Sequence, residues 1–283
     1  MQSLTQTVSL QSKVALVTGA GTSIGRELAR EFARHGAKVV CVGRRRQALD
    51  ETVRLIEAEG GAALAIQADV TDRTLVEQMV QQSLAQFGQI DLLFNNAGSF
   101  HSVAPVWEVD PETWWQDVTT ILYGSLLCCR AVLPHMRARN TGVIINMDGG
   151  GGAHGPNIAG SGYGCSKAAL LRLSEGLARE LEIDGSAVLV FCINPGFVRT
   201  EMTEYIASTP AGLQWQGFVK EWIEQGMGKQ PWDCAKATMK LLAIASPELN
   251  GCTFDVDTDF DAVARRKSEI REKHLLTLRL RWE

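Results

Sequence analysis

The chain has 283 residues, 45% of them apolar, which is enough for the core of one large α/β domain or two small ones. Its net charge of −4 and sequence pI near 5.8 argue against a nucleic-acid partner recognised through basic charge. Residues 1–12 are polar and lack the pattern of a signal peptide, and no apolar run approaches the roughly 20 residues that span a bilayer. We therefore expect no membrane span.

Strand and helix patterns alternate along the chain. Short apolar runs predict seven strands, at residues 13–18, 38–42, 62–67, 90–94, 142–147, 187–193 and 252–256. Amphipathic patterns predict helices at residues 23–35, 45–59, 71–87, 111–139, 161–182 and 232–245. Apolar parallel strands need cover on both sides, so we predict an α/β fold. It is a doubly wound, Rossmann-like parallel sheet of about seven strands with helices on both faces.

The alternation runs without a linker or repeat, so we predict a single domain over residues 1–283. Its core covers about 12–257, residues 201–231 form a lid over the substrate, and residues 258–283 form a tail. Apolar positions in the tail are Leu275, Leu276, Leu278 and Leu280. The tail is predicted to pack on a neighbouring subunit or to cover the site.

A glycine-rich turn joins the first strand to the first helix. Its sequence is Thr18-Gly19-Ala20-Gly21-Thr22-Ser23-Ile24-Gly25. A helix N-terminus offers unpaired N–H groups, and glycines let a pyrophosphate approach them. A turn that only connects strand and helix is the alternative. The predicted cofactor contacts here are Thr18, Gly19, Gly21, Ser23, Ile24 and Gly25.

Tyr163 and Lys167 lie four residues apart and therefore share one face of the predicted helix. A tyrosine hydroxyl can give a proton to a carbonyl oxygen, and its ordinary pKa is about 10. A nearby ammonium stabilises the phenolate, so we expect Lys167 to lower the pKa of Tyr163. A surface pair that arose by chance is the alternative.

The glycine-rich turn, the Tyr163–Lys167 pair and the alternating strands and helices occur in the same order in the short-chain dehydrogenases/reductases, which the chain resembles over about residues 12–257. The resemblance implies that Tyr163 is the catalytic acid/base and that Lys167 assists it and binds the nicotinamide ribose. It also implies further cofactor contacts, which are Asp69, Val70, Asn96, Ala97, Gly98, Pro195, Gly196, Val198 and Thr200.

The chain departs from the family pattern at the reaction centre. The usual serine is replaced by Gly149 or Gly150, with Asp148 just before them, and Ile121 stands at the usual helix asparagine. Asp148, a predicted catalytic residue, donates a hydrogen bond only when protonated, which costs roughly 4 kcal/mol at neutral pH. Ser23 also replaces the middle glycine of the phosphate turn. Substitute donors are sought among Ser99, His101 and His154, although a loop histidine is more often only solvated.

Charge after the second strand indicates the cofactor. Gly43 stands where NAD-preferring relatives carry an acidic residue, and Arg44, Arg45 and Arg46 follow. A guanidinium pairs well with a 2′-phosphate. A solvated helix start is the alternative, but positive charge at a helix N-terminus is unfavourable. We predict NADP(H) in preference to NAD(H), with Arg44 and Arg45 as contacts.

The predicted lid is apolar and aromatic, and its bulky residues are Met202, Tyr205, Leu213, Trp215, Phe218, Trp222 and Trp232. They either line a pocket for a bulky hydrophobic substrate or pack the lid onto the body. The helix at 111–139, with Trp114 and Trp115, resembles the helix that family members use for subunit contacts. We expect a homodimer or homotetramer.

The leading hypothesis is an NADP(H)-dependent oxidoreductase that interconverts an alcohol and a ketone. One alternative is a nucleotide-binding pseudoenzyme or partner subunit without redox turnover. Another is a non-redox isomerase or dehydratase. The seven cysteines show no C-x-x-C spacing, so we expect a reduced cytoplasmic protein without a metal site.

Overall fold

Seven parallel strands form one sheet in this computed structural model, which describes residues 8–279. They are β1 Val14–Thr18, β2 Lys38–Gly43, β3 Ala62–Gln67, β4 Leu92–Asn95, β5 Val143–Met147, β6 Leu189–Asn194 and β7 Thr253–Asp255. The strand order is β3-β2-β1-β4-β5-β6-β7. The predicted doubly wound α/β fold is confirmed.

Helices connect the strands and cover both faces. They are α1 Ser23–Arg34, α2 Arg46–Ala58, α3 Arg73–Phe87, α4 Pro111–Val118, α5 Gly124–Ala138, α6 Ser161–Ile183, α7 Glu201–Ser208, α8 Pro210–Trp215, α9 Gly217–Glu224, α10 Pro231–Ile244, α11 Phe260–Arg265 and α12 Lys267–Glu272. Local chemistry sets their ends. Asp72 caps α3 by accepting a hydrogen bond from the backbone N–H of Leu75, and Gly88 ends that helix in the left-handed conformation.

Alternate residues of each strand point to opposite faces of the sheet, where they contribute to two separate apolar cores. Phe94 and Phe191 pack on one face with Phe32 of α1. Leu16 and Leu93 pack on the other face, where α3 and α5 cover the sheet. Each such side chain contributes roughly 1.5–3 kcal/mol when it is fully buried. Burial on both faces explains why the strands are continuously apolar.

The sheet creates a crevice at the carboxyl ends of β1 and β4. From β1 the chain first moves outward to β2 and β3, then returns to place β4 on the other side of β1. The loops after β1 and β4 therefore diverge, which is where ligands bind in open α/β sheets.

The predicted continuous helix at 111–139 is interrupted. A π-helical segment, Thr119–Tyr123, separates α4 from α5, and Ile121 lies in it. Such segments are rare and are frequent at functional sites. The run Pro111–Ala138 has the length and the mean hydropathy, 1.2, of a membrane helix. That is weak evidence for a span, since core helices share these properties and Cys128 and Val132 are buried against the sheet.

The lid and tail differ in their relation to the cleft. The lid region contains the three short helices α7, α8 and α9. The described tail packs on its own chain, because Thr253 of β7 donates a backbone hydrogen bond to Leu276 and Leu278 donates one to Glu175 of α6. None of the described tail residues lines the cleft. Leu280 lies outside the described residues.

Candidate active site

A cleft of about 920 Å³ opens at the carboxyl ends of the strands. Its volume is near the upper end of ordinary ligand pockets. It brings together most of the predicted cofactor residues, which are Gly19, Gly21, Ser23, Ile24, Gly25, Arg44, Arg45, Asp69, Val70, Asn96, Ala97, Gly98, Tyr163, Lys167, Pro195, Gly196, Val198 and Thr200. Asp148 also lines the cleft, whereas Thr18 lies behind it.

The glycine turn after β1 is closely packed against the rest of the site. A Cβ at Gly25 would overlap the carbonyl oxygen of Gly19, and a Cβ at Gly19 would lie 2.7 Å from Nδ2 of Asn96. Ser23 adopts a left-handed φ of 47°, and its buried hydroxyl has no hydrogen-bond partner among the described residues. The turn thus offers glycine backbone and one unpaired donor to an anion at the start of α1.

Thr18 holds the turn in place from behind. Its hydroxyl accepts hydrogen bonds from the backbone N–H groups of Asn96 and Ala97, both at 3.0 Å. The Asn96 side-chain amide also donates a hydrogen bond to the Thr18 carbonyl at 2.9 Å. Thr18 therefore ties the loops after β1 and β4 together from a position outside the lining of the cleft.

Three successive arginines follow β2 in different environments. Arg44 is exposed, lines the cleft, and its guanidinium has no side-chain partner in the described part of the chain. Arg45 pairs with Glu201 at the start of α7 at 3.0 Å. Arg46 pairs with Asp50 at 2.8 Å and does not line this cleft. Of the three arginines, Arg44 is thus the one whose guanidinium can bind an anionic ligand without first breaking an ion pair.

The Tyr163 ring lies between an aromatic side chain and a cation. It stacks on Phe100 with 4.7 Å between ring centroids, and the Lys167 ammonium lies 5.3 Å from the Tyr163 centroid. Lys167 also donates to the Met147 carbonyl at 2.6 Å, and burial lowers the pKa of Lys167 to about 8. Burial raises the pKa of Tyr163, and the charge of Asp148 adds to that effect.

The expectation that Lys167 lowers the pKa of Tyr163 is therefore wrong for the cleft as described. The ammonium faces the ring of Tyr163 and is bonded to a backbone carbonyl. A cation over the face of a ring interacts with its π-electrons. It does not stabilise a phenolate oxygen as a directly bonded ammonium would.

Gly149 adjoins the reactive hydroxyl. A Cβ at Gly149 would overlap Oη of Tyr163, whereas one at Gly150 would meet only the side chain of Asn157, at 3.4 Å. Of the two glycines singled out from the sequence, Gly149 is the one that faces the tyrosine. The hydroxyl fills the volume that a serine side chain would need.

The Asp148 side chain lies under the four-glycine loop, Gly149–Gly152, that follows β5. It is 1% exposed, and a Cβ at Gly152 would overlap its carboxylate. Neither oxygen makes a hydrogen bond of normal geometry with the described residues. Burial raises the pKa of Asp148, while the nearby backbone N–H groups of Gly149 and Ala153 and the Lys167 ammonium act in the opposite direction.

The three proposed substitute donors all line the cleft, in different states. The Ser99 hydroxyl is buried and has no partner among the described residues. His101 contacts Tyr205 edge to face at 5.2 Å, and His154 is half-exposed and lies 2.7 Å from Asp255. Ile121 is fully buried behind Gly98 and does not line the cleft.

Lid residues divide between the cleft and the outside of the protein. Met202, Tyr205, Phe218 and Trp222 line the cleft, whereas Leu213, Trp215 and Trp232 do not. Trp215 instead packs edge to face on Trp107 at 6.1 Å. Sequence reasoning missed several further lining residues, which are Phe100, Ile158, Phe197, Ile206, Gln216 and Val219. For all of them except the polar Gln216, aromatic or apolar character in segments after strands was the available signal.

The described residues contain no group of three or more His, Cys, Asp or Glu side chains placed to hold a metal ion.

Comparison with known proteins gives consistent matches. The short chain dehydrogenase family model matches residues 13–211. A short chain dehydrogenase of Pseudocercospora fijiensis is 38% identical over 194 residues, which cover 68% of this chain and 62% of that protein. A 3-oxoacyl-[acyl-carrier-protein] reductase of Synechocystis is 34% identical over 88% of this chain and 97% of its own.

Solved structures match as well. A short-chain dehydrogenase/reductase structure from Burkholderia xenovorans superposes with a TM-score of 0.77 and 31% identity, covering 89% of this chain and 98% of that one. A metagenomic short-chain oxidoreductase in complex with NADP superposes with a TM-score of 0.68 and 29% identity. That match covers 85% of this chain and 94% of the other.

Proposed function

Because the chain belongs to the short-chain dehydrogenase family, we propose that it is an NADP(H)-dependent oxidoreductase that interconverts an alcohol and a ketone on a bulky apolar substrate. The observation that carries the proposal is one continuous cleft. Both the glycine turn and the Tyr163–Lys167 pair line it.

The glycine turn and Arg44 fit a dinucleotide. The glycines of the turn leave no room for side chains, and the unpaired Ser23 hydroxyl lies beside the N-terminus of α1, where a pyrophosphate is stabilised. The Arg44 guanidinium, which has no side-chain partner among residues 8–279, suits a 2′-phosphate, and one structural neighbour is an NADP complex. When bound, the nicotinamide supplies or accepts the hydride.

Tyr163 and Lys167 carry out the proton transfer. Tyr163 gives its hydroxyl proton to the carbonyl oxygen in reduction and takes it back in oxidation. Lys167, held by the Met147 carbonyl, keeps a positive charge near the reacting groups at neutral pH because its pKa is about 8. The aromatic lid residues exclude water and contact an apolar substrate.

A non-standard oxyanion site follows from Gly149. That position carries no donor, and the unpaired hydroxyl of Ser99 is the best substitute in the cleft because it is buried and uncommitted. Removal of an oxyanion donor from an enzyme typically costs ~10²–10³ in rate, so a substitute matters.

A second candidate is a nucleotide-binding subunit without redox turnover. The raised pKa of Tyr163, its orientation over Gly149 and the absent serine favour it. One experiment decides between the two. NADPH is titrated into the protein, and its absorbance is then followed with a panel of apolar ketones. Turnover that disappears in Tyr163→Phe supports the enzyme, whereas tight binding without turnover across the panel supports the subunit.

We further propose a cytoplasmic homodimer or homotetramer. All seven cysteines are free, and six of them are buried. The outer surface of the 111–138 run exposes Trp115, Tyr123 and Leu126. Exposed apolar side chains along one helical run are typical of a subunit interface.

A further inference from the structure

Gln216 is a buried polar residue at the junction of two short helices of the lid region. It is 3% exposed and lies between α8 and α9. Its backbone N–H donates to Gly212 of α8, and its carbonyl accepts from Val219 of α9, so both helices use its main chain. Its side chain makes no capping hydrogen bond to α9. A buried amide needs hydrogen-bond partners, and those of Gln216 lie outside the lid region.

The Gln216 amide reaches the loop that joins β5 to α6. Its Nε2 donates to Oδ1 of Asn157 at 2.9 Å and to the backbone carbonyl of Ile158 at 2.7 Å. Gln216, Asn157 and Ile158 all line the cleft. The two hydrogen bonds therefore join the lid region to the wall of the cleft, across more than 50 residues of chain.

Asn157 in turn contacts two parts of the reaction centre. Its Nδ2 donates to the carbonyl of Gly150 in the four-glycine loop at 3.3 Å. A Cβ at Gly164 of α6 would lie 3.1 Å from Cβ of Asn157, so Asn157 packs closely on that helix. Gly164 directly follows Tyr163. Gln216 is thus bonded to a residue that packs beside the turn of α6 that carries the reactive tyrosine.

Apolar side chains on either side of Gln216 face the same cleft. Tyr205 of α7 and Phe218 of α9 line it, although they are 39% and 44% exposed. The helices that carry them have eight residues each, and isolated helices of such length are not stable in water. Their placement therefore depends on tertiary contacts such as the two hydrogen bonds of Gln216.

We propose that Gln216 is a positioning residue that fastens the lid to the loop before α6 through Asn157 and Ile158, and that this fastening selects for bulky substrates. The proposal rests on the proposed function, in which an apolar substrate lies between Tyr163 and the lid. A bulky ketone needs the apolar lid side chains held in place against it. A small ketone does not extend to the lid and gains nothing from the fastening.

Gln216→Met tests the proposal, because methionine keeps the length of the side chain and cannot donate a hydrogen bond. KM for a fused-ring ketone such as α-tetralone should rise about 10-fold, the effect expected from the loss of one to two neutral hydrogen bonds. KM for cyclohexanone and Kd for NADPH should stay nearly unchanged. Tyr163 keeps its place on α6 and its stacking on Phe100, so kcat should also change little.

Two further variants and a control separate this role from a general loss of structure. Gln216→Glu keeps the shape but turns an oxygen toward two acceptors, so it should raise KM for α-tetralone more than Gln216→Met does. Asn157→Ala keeps the Cβ that packs on α6. Combined with Gln216→Met, it should be no worse than the worse single variant, because residues of one network are not additive. Gln214→Met is the matched control, since Gln214 is an exposed glutamine on α8.

A second measurement needs neither turnover nor substrate. Backbone amide exchange in residues 201–224 and 150–160 should be faster in Gln216→Met and Gln216→Glu than in the parent and Gln214→Met. Unchanged exchange, or an equal rise in KM for cyclohexanone and α-tetralone, overturns the proposal. A parent protein that binds NADPH and reduces no ketone overturns the proposed function instead, and amide exchange then decides whether Gln216 fastens the lid.

Discussion

The Tyr163 hydroxyl lies against Gly149, in the volume that a side chain at that position would fill. Gly149→Ala adds that volume without a donor, so we expect it to displace the hydroxyl. Because small misplacements in an active site cost about 10²-fold, ketone reduction should fall by that order. The measurement is kcat for NADPH oxidation with the best ketone of the panel.

Gly149→Ser is the matched variant for the same position, because it adds the same Cβ together with a hydroxyl. It should be faster than Gly149→Ala, since an oxyanion donor is worth ~10²–10³ in rate. Adding Ile121→Asn should raise the rate further only if the absent asparagine also limits the chemistry. If Gly149→Ala were as fast as the parent, the position of the Tyr163 hydroxyl against Gly149 would not be required for turnover.

Tyr163→Phe should abolish turnover and leave the Kd for NADPH nearly unchanged. The ring still stacks on Phe100, and only the proton donor is lost, which costs roughly 10²–10⁴ in rate. Lys167→Ala should weaken both turnover and NADPH binding. The parameters come from steady-state kinetics and calorimetry. Equal rates for the parent and Tyr163→Phe would show that Tyr163 is not the proton donor, and Asp148 or a loop histidine would be tested next.

Arg44→Ala should weaken NADPH binding by about 10- to 100-fold and leave NADH binding nearly unchanged, because a charge-assisted hydrogen bond is worth about 1.5–3 kcal/mol. Adding Arg45→Ala should enlarge the effect modestly, since Arg45 must first leave Glu201. Arg46→Ala is the control, because Arg46 pairs with Asp50 outside the cleft. Tighter binding of NADH than of NADPH by the parent would contradict the predicted preference for NADP(H).

Stability should depend on pH through Lys167. Burial lowers its pKa from 10.5 to about 8, so between these values the unfolded chain holds a proton that the folded chain has lost. Stability from this group therefore rises with pH across that window, and below about pH 8 the full cost of burying the charge is present. Lys167→Met should remove the cost and raise Tm at pH 7.

The Lys167→Met comparison should run from pH 6 to 9.5. The raised pKa of Tyr163 makes the folded chain retain a proton above pH 10, and the effect there has the opposite sign. The advantage of the variant should shrink as pH rises above 8. A difference in Tm between parent and variant that is constant over the range would contradict burial of a charged Lys167.

The parent should scatter light as a dimer or tetramer of its 30.9 kDa chain at micromolar concentration. Trp115→Asp should lower that mass, because Trp115 is 60% exposed on the outer face of the 111–138 run. Trp107→Asp is the control, since Trp107 is 76% exposed but precedes the helix. A parent of about 31 kDa would refute assembly.

Local patterns in the chain were sufficient for the fold. Most strands are short apolar runs, and the helices predicted from periodicity have end signals, such as Asp72 and Gly88 around α3. The short helices α7, α8, α9, α11 and α12 had no predicted bounds. The residues of the site follow strands, so the order of elements also placed them at one edge of the sheet. The predicted helix at 111–139 missed the π-helical segment because one extra residue in a turn barely alters the apolar period.

The sequence by itself determined the seven strands, the glycine turn and the meeting of Tyr163 with Lys167 in one cleft, because periodicity and the succession of elements along the chain can be read from the chain itself. Only the tertiary structure decided the orientation and the partners of the side chains in the site. It placed the Lys167 ammonium over the Tyr163 ring, buried the Asp148 carboxylate without a hydrogen bond of normal geometry to the described residues, and distinguished Arg44 from the paired Arg45 and Arg46. The direction of a pKa shift depends on burial and on neighbours far apart in sequence, such as Asp148 and Tyr163, and these exist only after the chain has folded.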